Sequence, residues 1–196
     1  MAIFTWPLDF RPQSQVWRMN YNNFAFTSVL SNSQDVYGYP GSYWSCDMTF
    51  DTMKQDVERR LTVMLGRLQG MQGTCLIPDF VRNRKTQDLG NVTVTDGKAQ
   101  SVNLAVAGLP KSKACFQAGD YVSVNGEMFE ILEDIASGSD GTANLPLNRR
   151  LRANIASGQP VEYFRPASEM RLTTDQYSIN RQPLISSITI TFREAF

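Results

Sequence analysis

The chain has 196 residues, 42% hydrophobic and 19% charged, with 19 basic and 19 acidic side chains and no histidine. A net charge of zero lacks the basic excess of a duplex nucleic-acid binder. The missing histidines exclude His-based triads and His-containing zinc sites.

The length suits one domain or two small ones, with a core that needs no covalent staples. Cys46, Cys75 and Cys115 are an odd, widely spaced set. They argue against a disulfide framework and for a reducing compartment, with Cys46 as a small buried hydrophobe. No apolar run reaches 18 residues, and "MAIFTWPLDFRPQSQ" has no basic start followed by an apolar core. Neither a spanning helix nor a secretory signal is therefore expected.

In chain order, "VWRMNYNNFAFTSVL" offers apolar runs at 16–19 and 24–30 around "NYNN". Asparagine tolerates left-handed backbone, so a hairpin is predicted near Asn22 and Asn23. "SNSQDVYGYPGS" is rich in turn residues. "SYWSCDMTF" alternates: Trp44, Cys46, Met48 and Phe50 point one way, Tyr43, Ser45, Asp47 and Thr49 the other. Residues 51–69 carry Met53, Val57, Leu61, Met64, Leu65 and Leu68 at helical spacing. Asp51 or Thr52 can cap the start, Thr52 with Gln55 fits a capping box, and Gly70 fits the stop. Lys54, Glu58, Arg59 and Arg67 are expected on the solvated face, with Asp56 pairing to Arg59 or Arg60. "GTCLIPDF" reads as a further strand, and the polar run 81–90 as a boundary.

From about Gly90 the pattern becomes one of short strands with frequent turns. Asp96-Gly97 and Asn125-Gly126 are hairpin signals, and Asp140-Gly141 marks a loop. In the last segment Ile188, Ile190 and Phe192 alternate with Thr189, Thr191 and Arg193. The strands before residue 80 lack a closing partner, which 177–196 can supply. The fold expected is mainly β with one main helix. Residues 1–89 and 174–196 form one discontinuous β-sandwich-like unit containing the helix. Residues 90–173 form an inserted all-β, barrel-like unit.

No phosphate loop, dinucleotide fingerprint or nucleophile elbow is present, and no two cysteines have metal-finger spacing. "DIASGSDGT" lacks the acidic ladder of a calcium loop. Glu127, Glu130, Glu133 and Asp134 cluster around one hairpin, where a strand's outer face explains them better than a carboxylate pair. Asn91-Val92-Thr93 is a chance glycosylation match. The reading is of a non-enzyme with no catalytic residues, no cofactor and no metal. Arg149, Arg150 and Arg152 in "NRRLR" can grip phosphate or acidic side chains, and an ion pair between subunits suits the zero net charge. Phe4, Trp6, Phe10, Trp17, Tyr21, Phe24 and Phe26 crowd the N-terminus, followed by Tyr37, Tyr39, Tyr43 and Trp44. Core packing accounts for some of them. The surplus predicts an oligomer interface drawing on Trp6, Trp17, Tyr39, Tyr43 and Trp44.

The order of these segments resembles the distal tail proteins and related tail-tip or baseplate proteins of long-tailed bacteriophages. Three features carry the likeness. A tryptophan strand, "YPGSYWSCDMTFD", runs into the helix of "VERRLTVMLGRLQGMQGTCLIPDF". An inserted β-unit contains "FQAGDYVSVNGEMFEILEDIASGSDGTANLPLNRRLR". A terminal strand, "ISSITITFREAF", returns to the first unit. The resemblance implies a virion structural protein, assembled in the host bacterial cytoplasm, whose homo-hexameric ring sits at the tail tip. Its implied partners are other copies of itself, the tail tube protein, and baseplate hub or tail fibre proteins. DNA would pass through the lumen without sequence readout, and no membrane insertion is implied. The rival expectations are a carbohydrate-binding β-sandwich using Trp44, Tyr43 or Tyr39, and a carboxylate hydrolase using Glu130 and Glu133.

Overall fold

The computed structural model describes residues 3–82 and 87–196. The polar boundary expected over 81–90 lies partly outside them. In chain order the described residues form β1 (Ile3–Thr5), β2 (Ser14–Thr27), β3 (Gln34–Met53), α1 (Gln55–Leu68), a 3-10 turn (Gly70–Gln72) and β4 (Thr74–Pro78). Short strands follow: β5 (Thr93–Asp96), β6 (Asn103–Ala107), β7 (Ala114–Phe116), β8 (Tyr121–Val124), β9 (Glu127–Glu130), β10 (Ile135–Ala136) and β11 (Ala143–Pro146). The chain closes with β12 (Ala167–Leu172), β13 (Asn180–Arg181) and β14 (Ser186–Glu194). The protein is mainly β with a single α-helix among the described residues.

A seven-stranded sheet runs β1-β4-β12-β14-β3-β2, with β13 also on β14. The two alternating segments meet in it. β14 lies antiparallel on β3, placing Ile190 opposite Met48 and Phe192 opposite Cys46. Trp44, Cys46, Met48 and Phe50 join Ile188, Ile190 and Phe192 in one buried cluster, and Leu61, Leu65 and Leu68 of α1 cover it. The residues between them on β3 and β14 form the sheet's outer face, where Thr49 and Thr189 share a hydrogen bond. The sequence reading placed 167–172 in the inserted unit. Instead β12 sits between β4 and β14 in the main sheet.

A second cluster holds Leu104, Val106, Val122, Phe129, Leu145 and Tyr163. It is built from a three-stranded sheet, β11-β6-β5, and two pairs, β7–β10 and β8–β9. Asn125 and Gly126 form the two-residue turn between β8 and β9, both with positive φ, as a type I′ hairpin requires. Asp96-Gly97 makes no such turn: Asp96 pairs with Ala105 across a register shift, and Gly97 bridges to Ile155.

Two local expectations change for physical reasons. Asn22 and Asn23 lie within β2, beyond a register shift at Asn20/Asn22, and pair with Tyr39 and Gly38. The chain reverses later, over residues 28–33, where Ser28 N–H donates to the Ser33 carbonyl. The helix starts at Gln55 because β3 continues to Met53, so the capping box does not form. Thr52 Oγ1 instead accepts from Gln13 Nε2. The helix ends with Gln69 in the left-handed region, just before Gly70.

Glu58, expected in solvent, is buried and bound by Ser186 Oγ and by Arg181 Nε at 2.6 Å. Arg60 pairs with Asp9 rather than within the helix. The Ser186 and Arg181 hydrogen bonds hold the Glu58 carboxyl below its ordinary value of 4.5. A depressed carboxyl stabilises the fold above that value, and the contribution is lost as pH falls through the folded-state pKa. Thermal unfolding of Glu58→Gln against pH should show a shallower acid limb than the parent. Superimposable acid limbs would contradict the assignment.

Candidate assembly surface

β3 has two halves with opposite environments. From Trp44 to Met53 it alternates into the core, whereas from Gln34 to Gly41 every residue is exposed. β2 behaves likewise, with residues 21–27 all exposed. Among the described residues, the outer half of the β2–β3 hairpin is thus a two-stranded arm with no layer on either face. Six facing pairs, from Asn22↔Tyr39 to Thr27↔Gln34, carry it about 20 Å beyond the sheet at the usual strand rise.

The register sorts the arm's side chains. Asn22, Phe24 and Phe26 lie opposite Tyr39, Tyr37 and Asp35 on one face. The other face carries Asn23, Ala25 and Thr27 with Gly38, Val36 and Gln34. Phe24, Phe26, Tyr37 and Tyr39 are 56–58% exposed. Rings of this size bury about 200 Å2 each, so the stripe leaves roughly 400 Å2 in water. Covering it gives on the order of 10 kcal/mol of gross hydrophobic drive, before the cost of association. A patch of that size matches the largest apolar patch of an ordinary monomer, a patch that is often functional. An isolated two-stranded hairpin is also only marginally stable in water.

Two further features point the same way. Asp35 is the only charged residue from 21 to 41. Among the described residues β2 is the last strand of the sheet, and no strand pairs with its outer edge. Edge strands that face solvent are protected by lysine, proline or inward charges, and β2 offers only Arg18 near its base.

The expected interface set divides. Tyr39 lies on the arm's aromatic face. Tyr43 sits on the outer face of the sheet, half-buried under Arg193, whose guanidinium is 4.1 Å from the ring centre. Trp17 is half-buried, edge-on to Trp44 at 5.9 Å, and its indole N–H has no partner. Trp6 and Trp44 are corrections, because both are buried within the single chain. Trp6 stacks on Phe10 and Phe50, and its N–H donates to the Phe10 carbonyl at 2.7 Å. Trp44 donates its indole N–H to the Met128 carbonyl at 2.9 Å. A ring with no exposed face reaches neither a neighbouring subunit nor a sugar.

Arg149 and Arg152 are the other correction. They grip carboxylates of their own chain, while Arg150 is exposed. Arg149 reaches Glu194 Oε1 at 2.6 Å, with both side chains fully buried. Arg152 reaches Glu194 Oε2 at 2.7 Å. Glu127 lies 3.5 Å from Arg149 and 3.7 Å from Arg152. Both arginines also donate to the Ser42 carbonyl, and the Trp44 N–H donates to Glu194 Oε2. Burial draws the Arg149 pKa down against the pull of Glu194, and burial pushes Glu127 up against both arginines. The network ties residues 127–152 of the inserted unit to β3 and β14. It fixes the strand segment from which the arm departs.

The acidic residues read around the β8–β9 hairpin are dispersed. Glu127 belongs to this network, Glu130 pairs with Arg82 at 3.3 Å, and Asp134 accepts from the Ala118 N–H. Among the described residues no group of three metal-ligating side chains occurs, and no helix is long and apolar enough to cross a membrane. Phe24, Phe26 and Tyr37 share the arm's aromatic face with Tyr39, beyond the interface residues expected from sequence. The scarcity of charge over 21–41, where Asp35 stands alone, is the signal that marks them.

Neither the models of known protein families nor the curated proteins compared with this chain give a match.

Removing one partner of a buried ion pair strands the other charge. Glu194→Gln should cost about 3–5 kcal/mol in denaturant unfolding. Arg150→Ala should stay within about 0.5 kcal/mol of the parent. Equal costs for the two would show that the network does not hold the units together.

Proposed function

We propose that this protein is a structural, non-enzymatic component of a bacteriophage tail tip. Copies assemble head to tail into a ring, six in number by the family resemblance, which joins the tail tube to the hub and fibres. In this reading the main sheet and helix are the sandwich-like ring unit. The inserted unit is a barrel-like decoration on the ring, and DNA passes through the lumen without base readout. The virion is the protein's location.

The observation that carries the reading is the bare arm. An aromatic, two-stranded projection with Asp35 as its single charge and an edge strand facing outward is a costly feature for a monomer, and a useful one for a subunit that pairs with its copies. A ring gives each subunit two different contact patches, and the arm supplies one of them. The order of segments, with a tryptophan strand, a helix, an inserted β-unit and a returning terminal strand, supports the tail-tip assignment. The carbohydrate-binding alternative loses Trp44 to the core and retains Tyr39.

Light scattering on the size-fractionated protein should give a mass several times the 22.1 kDa chain, and electron microscopy should show rings. Replacing residues 24–37 by a tight two-residue turn should leave a folded monomer. A parent that stays monomeric at high concentration would overturn the reading, as would an arm-deleted chain that assembles as well as the parent.

A further inference from the structure

The arm ends in an unusual tip. The reversal is held by its own hydrogen bonds: Ser28 N–H to the Ser33 carbonyl at 2.8 Å, and Asn32 N–H to the Ser28 carbonyl at 2.9 Å. Asn32 takes the left-handed conformation this needs. Two aliphatic residues, Val29 and Leu30, stand on this braced turn with 100% exposure. Turn positions are ordinarily filled by small polar residues. A fixed pair of bare branched side chains is a knob without a socket.

A socket of matching chemistry lies at the other flank of the same sheet. A pocket of about 350 Å3 opens between β1, β4 and the inserted unit, walled by Leu8, Leu76, Pro78, Pro160 and Ala167. A cavity of roughly 150 Å3 accepts a benzene ring, so this volume takes both side chains of the knob. Three other hollows fit less well. The one beside Asp79 and Arg82 is only about 50 Å3, the one of about 400 Å3 beside Glu58, Arg59 and Arg181 is lined by charge, and the one of about 360 Å3 beside Asp51, Ser178, Asn180 and Ser187 is mostly polar.

Placement and charge agree with this pairing. The strand order puts the arm at the β2 flank and the pocket at the β1 flank. Thr5, Pro78 and Ala167 are at the end of their strands nearest the inserted unit, which is also where β2 and β3 leave the sheet. Asp35, the arm's only charge, lies opposite Phe26 near the tip. Arg165 is exposed on the pocket rim. The other rim charge, Glu162, is turned onto its own loop, where its Oε1 accepts the N–H groups of Phe164 and Arg165.

We propose that Val29 and Leu30 of one copy insert into the Leu8–Leu76–Pro160 pocket of a second copy, with Asp35 meeting Arg165 at the rim. The contact is heterologous, knob on one flank and socket on the other, so repeating it carries the chain of contacts around a ring. The inference rests on the ring reading above and names the partner surface within it.

Cysteine cross-linking tests it. Cys46, Cys75 and Cys115 are all buried, and burial pushes the Cys46 and Cys75 thiols up to about 12, so introduced cysteines are the reactive ones. Mild oxidation of the Leu30→Cys, Thr5→Cys double variant should give a ladder of covalent oligomers. Leu30→Cys paired with Val63→Cys, on the exposed face of α1, should give none. Asp35→Arg or Arg165→Asp alone should raise the concentration needed for assembly about fivefold, and the two together should restore it. Assembled protein whose Leu30 and Thr5 positions do not cross-link would overturn this contact and leave the ring reading standing. A protein that does not assemble at all would overturn both.

Discussion

One strand sets the terms for the rest of the molecule. β3 runs unbroken from Gln34 to Met53 and belongs to two environments. Its second half is the centre of the main sheet, paired with β14 on one side and β2 on the other, with every second side chain in the core. Among the described strands, its first half has only β2 beside it. Backbone donors and acceptors on a strand need partners or water, and side chains on a bare pair need a layer to bury them. The core half is satisfied within the chain. The arm half leaves its aromatic face and the outer edge of β2 in water, and it is on this imbalance that the proposed assembly rests.

The junction between the halves is where the chain invests its strongest polar contacts. Glu194 at the end of β14 is gripped by Arg149 and Arg152 and by the Trp44 N–H. The same arginines bind the Ser42 carbonyl at the last residues before the arm. A buried ion network is not a gain in stability over a well-packed apolar patch. What it supplies here is position: it sets the inserted unit against β3 and holds the root of the arm. Met128 of the inserted unit enters the main core beside Trp44, so packing and charge make the same junction.

Much of the sheet was legible in local pattern. The alternation in 42–50 and in 186–194 is what half-buried strands require, and the stripe from Val57 to Leu68 is what a helix over that sheet requires. Asn125-Gly126 announced its hairpin because both residues accept positive φ. What escaped depends on partners far along the chain. Glu58 looked solvent-facing because nothing local marks Arg181 and Ser186, more than 120 residues later, as its partners. Arg149 looked like a surface charge because Glu194 is 45 residues away. Trp6 and Trp44 looked like surplus aromatics because stacking on Phe10 and Phe50, or reaching Met128, is decided by the folded sheet. Asn22 and Asn23 imitated a turn and proved to be strand, while the true turn carries two aliphatic residues that no turn rule favours. The arm itself was half legible: its aromatic density was visible, and which of the rings lie on its face was not.

Assembly of this kind requires the arm to meet another copy of the chain. Backbone hydrogen exchange across residues 22–27 and 34–39, followed as protein concentration rises, addresses this directly. Assembly should slow exchange on the outer edge of β2, whereas the buried half of β3 and β14 should be protected at every concentration. Assembled protein whose arm still exchanges as fast as the dilute monomer would contradict the account.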